Sequence, residues 1–320
     1  MIIANYSQLP INLALMNAAN ELNFKNGDKR SIARAITKVE NHLEGYDSLL
    51  SSISLDEQVP VIGITGPPGA GKSTLINALI KVLLQRTNSK GEPNKIAVLA
   101  VDPTSPFTHG SLLGDRLRMF EHFNHERVFI RSLATRGALG GLSARTLEVL
   151  EVMKASGFDH IIIETVGVGQ SEVEIVSMAN TTIVVLVPEA GDEIQTLKSG
   201  IMEIGDLFVV NKSDRAGADI FVANIHKTLH ERPLKDGWHI PVLKTSAVNN
   251  EGVEELAEMI IKHQEQHPPQ KNTRLLAEQA YRLIQAARMH DVRIDDLVSA
   301  IDEKMEDGGF NLYEFTKRYF

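Results

Sequence analysis

Gly66-Pro67-Pro68-Gly69-Ala70-Gly71-Lys72-Ser73-Thr74 is the stretch on which the reading of the fold turns. It follows the apolar run Val61–Thr65 and opens a stretch with helical spacing from Ser73 to about Gln85. In that strand–loop–helix setting it matches G-x-x-x-x-G-K-[ST], and each residue type has a physical task. The glycines let the backbone curl so that successive N–H groups point inward at an anion, and the helix start adds its positive dipole end. Lys72 is long enough to reach the β and γ phosphates of a nucleotide, and the Ser73 hydroxyl can ligate Mg²⁺.

Outward from this loop, short β-branched runs alternate with helix-like stretches from about Pro60 to Ala247. The other runs are Lys95–Val101, Val128–Leu133, His160–Thr165, Thr181–Val187, Leu207–Val210 and Pro241–Thr245. Most are continuous apolar blocks, as expected of strands covered on both faces. They predict an α/β fold: a mainly parallel sheet flanked by helices, with ligand loops at the strands' C-terminal ends. Before it, Ile11–Leu22 and Ser31–Leu43 read as helices. After His267-Pro268-Pro269, a linker signal, helices are expected near Thr273–Met289, Val292–Lys304 and Asn311–Tyr319. The expected organisation is an N-terminal helical extension over 1–55, a nucleotide-binding domain over 56–268 and a C-terminal helical arm over 269–320. The arm carries an apolar stripe of Leu276, Ala280, Leu283, Ile284 and Ala287, suited either to core packing or to a dimer contact.

Composition narrows the classes. The 320 residues include 33 Lys+Arg and 41 Asp+Glu, a net charge of −8 that argues against nucleic acid as the main partner. The absence of cysteine excludes disulfides, a thiolate zinc site and a cysteine nucleophile. No basic region precedes an apolar stretch at the N-terminus, and no apolar run reaches the roughly 18–20 residues of a membrane span. A cytoplasmic protein with no membrane partner is expected.

After Leu207–Val210 comes Asn211-Lys212-Ser213-Asp214. A carboxylate at Asp214 can accept from the ring N–H and exocyclic amine of guanine, a pair adenine does not present. Asn211 can meet the opposite edge, and the Lys212 stem can lie along the base and ribose. Thr245-Ser246-Ala247 ends the last run where a backbone N–H could meet the guanine carbonyl. Ser246, Ala247 and Val248 therefore complete the expected nucleotide-binding set, and GTP is favoured over ATP. Two further runs end in acids, Asp102 and Glu164. Both would emerge on the edge that carries the phosphate loop, placed to act on Mg²⁺ directly or through its waters. Val166-Gly167-Val168-Gly169-Gln170 suits a loop that senses the γ-phosphate.

Together these segments resemble the MeaB/ArgK-type P-loop GTPases, a family related to the methylmalonic aciduria type A protein. The resemblance rests on Gly66–Thr74, Val101-Asp102-Pro103-Thr104-Ser105, Gly110-Ser111-Leu112-Leu113-Gly114-Asp115-Arg116, Glu164-Thr165-Val166-Gly167-Val168-Gly169-Gln170-Ser171-Glu172 and Asn211–Asp214. It implies a P-loop NTPase fold, Mg²⁺-dependent GTP hydrolysis to GDP, and a chaperone role toward an adenosylcobalamin-dependent methylmalonyl-CoA mutase. It further implies a homodimer built through the C-terminal arm. By the same likeness Lys72, Asp102, Asp115 and Glu164 form the catalytic set, with Ser73, Asp102 and Glu164 at the metal. Gly191–Lys198 becomes a mobile loop coupling nucleotide state to the partner through Asp192, Gln195 and Lys198, alongside Gly167 and Gln170. His109 departs from the family pattern, where a small residue is common. The alternative activity, attached to the family name, is a kinase or ATPase associated with periplasmic lysine/arginine/ornithine transport. A nickel-delivery GTPase is disfavoured, because the 11 histidines show no tight ligand spacing.

Overall fold

The computed structural model describes residues 23–54, 59–102, 120–134, 144–165, 178–191, 201–230, 237–268, 273–289, 291–306 and 308–319. The expected helix over Ile11–Leu22 lies outside them, as do Asp115, Gly167, Gln170, Asp192, Gln195, Lys198 and His109. By contacts the chain divides into two compact units, 1–270 and 271–320.

The larger unit is built on seven strands: β1 (Val61–Thr65), β2 (Ile96–Asp102), β3 (Val128–Ala134), β4 (His160–Glu164), β5 (Thr181–Leu186), β6 (Leu207–Val210) and β7 (Val242–Lys244). All pair in parallel, in the order β3-β2-β4-β1-β5-β6-β7. Each strand coincides with one apolar run to within two residues at either end. Both faces of the sheet are covered, so neither face leaves a polar alternation in the sequence.

One face packs Ile62, Ile64, Val98, Ile183 and Val185 against the helices α3 (Lys72–Leu84) and α7 (Val253–Gln266), through Leu75, Leu79, Leu256 and Ile260. The other packs Val61, Leu99, Ile161 and Ile163 against α1 (Lys29–Glu40) and α4 (Ala144–Lys154). Helix α1 contributes Ile32, Ile36 and Val39, each fully buried. Removing such side chains from water stabilises by about 1.5–3 kcal/mol apiece before entropy is counted. Helix α1, which the sequence assigned to an extension, is therefore a layer of the sheet's own core. Its start is set by Asp28, whose carboxylate accepts from the Ser31 N–H at 2.8 Å; hydrogen bonding from the Ser31 side chain first, and from its amide second, holds the Asp28 carboxyl below its ordinary value. A short α2 (Tyr46–Ser51) follows it. Further along, α5 (Ile201–Ile204) and α6 (Ala218–His230) flank the β5–β6 side, where Phe208 and Val210 meet Phe221 and Ile225.

The smaller unit contains α8 (Thr273–Arg288), α9 (Ile294–Glu306) and α10 (Leu312–Thr316). Asn311 caps α10 by accepting from the Tyr313 and Glu314 amides. Among its described side chains, Leu276, Leu283, Ile284 and Val298 are exposed. Among the described residues, no helix is long and apolar enough to cross a membrane.

Candidate functional site

Because every strand runs the same way, the C-terminal ends of β1, β4, β6 and β7 lie at one edge of the sheet. Strand β1 is central, between β4 and β5, so its C-terminal loop lies in the crevice where α/β sheets receive ligands. This loop is Gly66–Gly71, and α3 begins at Lys72.

Glycine is required at two of its positions for different reasons. Gly66 has φ +139°, and a Cβ there would collide with the Val185 carbonyl oxygen of the neighbouring strand. Gly71 has φ +87° and is the N-cap of α3; a Cβ would stand 2.5 Å from the Asn211 amide nitrogen. The first glycine admits the turn off β1, and the last admits the loop after β6, through Asn211, against the loop after β1.

The Lys72 ammonium is buried and folds back over its own loop, donating to the carbonyls of Gly66 at 2.8 Å and Pro67 at 3.2 Å. Those bonds place a cation within the curl of amides where phosphate charge would be neutralised. One residue on, the Ser73 hydroxyl donates to Glu164 Oε1 at 2.6 Å, both side chains being buried. Strand pairing explains their meeting, since Glu164 ends β4 directly opposite Ile64 of β1. Beside them the Thr165 hydroxyl donates to that of Thr65 at 3.1 Å, stitching the two strand ends together. Two hard oxygen donors at a helix start are the chemistry of a Mg²⁺ site, so the residues present fit that ion. Asp102 closes β2, two residues beyond Ala100, which pairs with Glu164; its backbone therefore reaches the same edge.

On the other side of β1, the loop after β6 is fixed by Asn211. Its side chain is 2 % exposed, and both ends of the amide are used within the protein. Nδ2 donates to the Ala70 carbonyl at 2.9 Å, while Oδ1 accepts from the Thr245 hydroxyl and the Ala247 N–H, each at 3.1 Å. The expectation from sequence is that Asn211 meets a base edge; in the structure its amide also joins the loops after β1, β6 and β7. The Ala247 N–H is likewise committed to Asn211. Lys212 adopts φ +56°, unusual for a residue with a side chain, and its ammonium donates to the Gly69 carbonyl at 2.9 Å. Asp214 accepts from the Ser246 hydroxyl at 2.8 Å, and this bond is the main reason its carboxyl lies below the ordinary value. The carboxylate is therefore held charged at an exposed position, and Val248, two residues beyond Ser246, is exposed as well.

Two contacts had no sequence signal beyond residue type. The Thr65–Thr165 pair joins residues 100 positions apart. Arg215, next to Asp214, forms an ion pair with Glu189 in the turn after β5.

The chain is similar to known proteins over most of its length. The model of the family described as methylmalonyl-CoA mutase-associated GTPase MeaB matches residues 32–306. A Pyrococcus abyssi protein carrying a provisional GTPase name is 48% identical over 245 residues, covering 75% of this chain and 74% of its own. The methylmalonic aciduria type A homolog of Caenorhabditis briggsae, described as mitochondrial, is 38% identical over 250 residues, 72% of this chain and 60% of that one. The crystal structure of an LAO/AO transport system kinase superposes with a TM-score of 0.66 at 26% identity, covering 99% of this chain and 98% of that one.

Proposed function

Since the chain belongs to the methylmalonyl-CoA mutase-associated GTPase family MeaB, we propose that it binds and hydrolyses GTP and uses that cycle to chaperone an adenosylcobalamin-dependent methylmalonyl-CoA mutase. In this role it gates cofactor loading and protects the mutase, acting in the cytoplasm. The observation that carries the nucleotide part is the Asn211 clamp, which fixes a guanine-reading carboxylate and a phosphate loop as one rigid edge. The mutase part is supported by the family description and by the relationship to the methylmalonic aciduria type A homolog.

The residues divide the work as follows. Amides of Gly66–Gly71 and the start of α3 receive the phosphates, and the Lys72 ammonium exchanges its two carbonyl partners for phosphate oxygens. Asp214 accepts the two N–H groups on the Watson–Crick side of guanine, while Lys212 lies along the loop it already grips. Ser73 and Glu164 would hold Mg²⁺, with Asp102 and Asp115 as further members of the set. When bound, that ion neutralises charge building on the phosphate oxygens. Water positioning falls to the acidic side chains at this edge. Such sites turn over slowly until a partner completes them, which suits a timer.

The helical arm over 269–320 is proposed as a homodimer contact, supported by the exposed Leu283, Ile284 and Val298. The likeness to an LAO/AO transport system kinase favours a second reading, phosphoryl transfer to a transport protein. One experiment separates them. With γ-labelled GTP and Mg²⁺, label released to water supports the GTPase reading, and label retained on an added binding protein supports the kinase. Co-purification with a methylmalonyl-CoA mutase, with and without a non-hydrolysable GTP analogue, tests the chaperone role; no association in either state refutes it.

A further inference from the structure

The opposite edge of the sheet carries a cleft of about 1100 Å³ that the nucleotide chemistry does not use. It lies where β1, β2 and β4 begin, walled by the 86–95 connection, residues 157–160 and the last turns of α7. Its walls are rigid. Asn88 Oδ1 accepts from the Lys90 and Glu92 amides, each at 3.0 Å, while Asn88 Nδ2 donates to Asp159 Oδ1 at 2.9 Å. Asp159 Oδ2 accepts from the Lys95 N–H at 2.7 Å.

Three lining residues each hold a buried polar atom with no hydrogen-bond partner: Asn94 Oδ1, His160 Nδ1 and Gln264 Nε2. An orphaned buried group costs about 1–3 kcal/mol, so three around one cleft mark a surface built to meet something. The orientation of Asn94 is fixed, because its Nδ2 donates to the Leu83 carbonyl at 3.1 Å and leaves Oδ1 as the idle acceptor. Asn94 is itself 2 % exposed. Gln264 supplies an idle donor. Burial holds the His160 imidazole below its ordinary pKa, so it is a neutral partner able to donate or accept.

The charges around these atoms balance: Arg86, Lys90 and Lys95 face Glu92, Asp159 and Glu265. Arg86 is already paired with Glu254 at 2.5 Å, and Asp159 is taken up by the wall. Neither an anion nor a cation meets a net field. We propose that this cleft binds a small uncharged molecule bearing a carboxamide or lactam, whose N–H meets Asn94 Oδ1 and whose carbonyl meets Gln264 Nε2, with His160 beside them. Rotation of the half-buried Gln264 side chain opens the floor to the ligand. The hydrogen bonds of Asn88 and Asp159 hold the walls while that rotation uncovers the buried atoms. This site is independent of the nucleotide reading.

The test is calorimetric titration of the full-length, GDP-saturated protein with nicotinamide and with uracil, using nicotinate as the charged counterpart. Saturable binding of either neutral probe is expected, unaffected by GDP, and at least about tenfold weaker in Gln264→Met, the loss of one hydrogen bond. Nicotinate should bind at least about tenfold more weakly than nicotinamide. His160→Phe provides a second variant if Gln264→Met melts early. The proposal is overturned by absence of saturable binding of both neutral probes, by competition with GDP, by nicotinate binding as well as nicotinamide, or by equal affinity in both folded variants.

Discussion

The Asn211 amide donates to the Ala70 carbonyl, so the loop proposed to read a base and the loop proposed to hold phosphate share one hydrogen bond. Replacing Asn211 by Ala leaves three groups without this partner: the Ala70 carbonyl, the Thr245 hydroxyl and the Ala247 N–H. Each buried polar group so stranded costs about 1–3 kcal/mol, with partial relief from water. Asn211→Ala is expected to lower the melting temperature by several degrees, at roughly 2–4 °C per kcal/mol, and to weaken GDP binding at least about tenfold. Thermal denaturation and calorimetry check both; a variant with unchanged melting and GDP affinity would show that the clamp has no energetic role.

The Ser73–Glu164 hydrogen bond of 2.6 Å separates metal from nucleotide in a second prediction. Glu164→Gln keeps the shape and a hydrogen-bonding partner for Ser73 but removes the negative charge. Binding of GDP without Mg²⁺ should therefore change little, whereas the tightening caused by Mg²⁺ should shrink markedly and GTP turnover should fall. Titration with and without the ion gives the comparison. An undiminished Mg²⁺ effect would take Glu164 out of the metal's surroundings.

Most of this edge was legible in the sequence because its parts are local. A strand buried on both faces writes a continuous apolar run, which is why Val61–Thr65 and Leu207–Val210 are seen as runs and as strands alike. The phosphate loop announces itself because Gly66 and Gly71 admit backbone that other residues do not. What did not show is non-local. Nothing in a run of valines says that β4 will lie between β2 and β1, yet that order alone brings Glu164 to Ser73. The inward turn of Asn211 was equally hidden, since Asn-Lys-Ser-Asp reads the same whether its first amide faces a ligand or a neighbouring loop. Helix α1 begins two residues before its apolar stripe suggested, since Asp28 caps it from outside the periodic pattern.

Two glycines of the phosphate loop should respond differently to alanine. At Gly69, with φ +79°, a Cβ meets nothing within 4 Å, so the cost is the left-handed backbone alone, about 1–2 kcal/mol. At Gly66 the Cβ meets the Val185 backbone, which cannot swing away as a side chain could. Gly66→Ala is expected to be the more destabilising of the two by at least about 2 kcal/mol and to abolish nucleotide binding. Denaturant titration of both variants measures the difference, and equal midpoints would contradict the close approach of β5.

If Asp214 reads guanine as proposed, the Ser246–Asp214 bond is expected to set the acid limit of that recognition. Asp214 must be ionised to accept two N–H groups, so affinity is present above the pKa of its carboxyl and is lost as pH falls through it. The Ser246 hydroxyl holds that pKa below the usual carboxylate range, extending recognition to lower pH. Ser246→Ala removes the donor, so the fall in GDP affinity should begin at higher pH than in the parent protein, with little change at pH 8. Asp214→Asn supplies the matching control: its amide oxygen can accept from only one of the two guanine N–H groups while its NH2 opposes the other, yet that NH2 can donate to the carbonyl that xanthine carries there. It should lose about a hundredfold or more in GDP affinity at all pH values and shift preference toward xanthosine diphosphate. Calorimetric pH profiles of the three proteins decide the matter. Coincident profiles for parent and Ser246→Ala would mean that the hydroxyl does not tune the carboxylate, and unchanged GDP affinity in Asp214→Asn would move base recognition elsewhere.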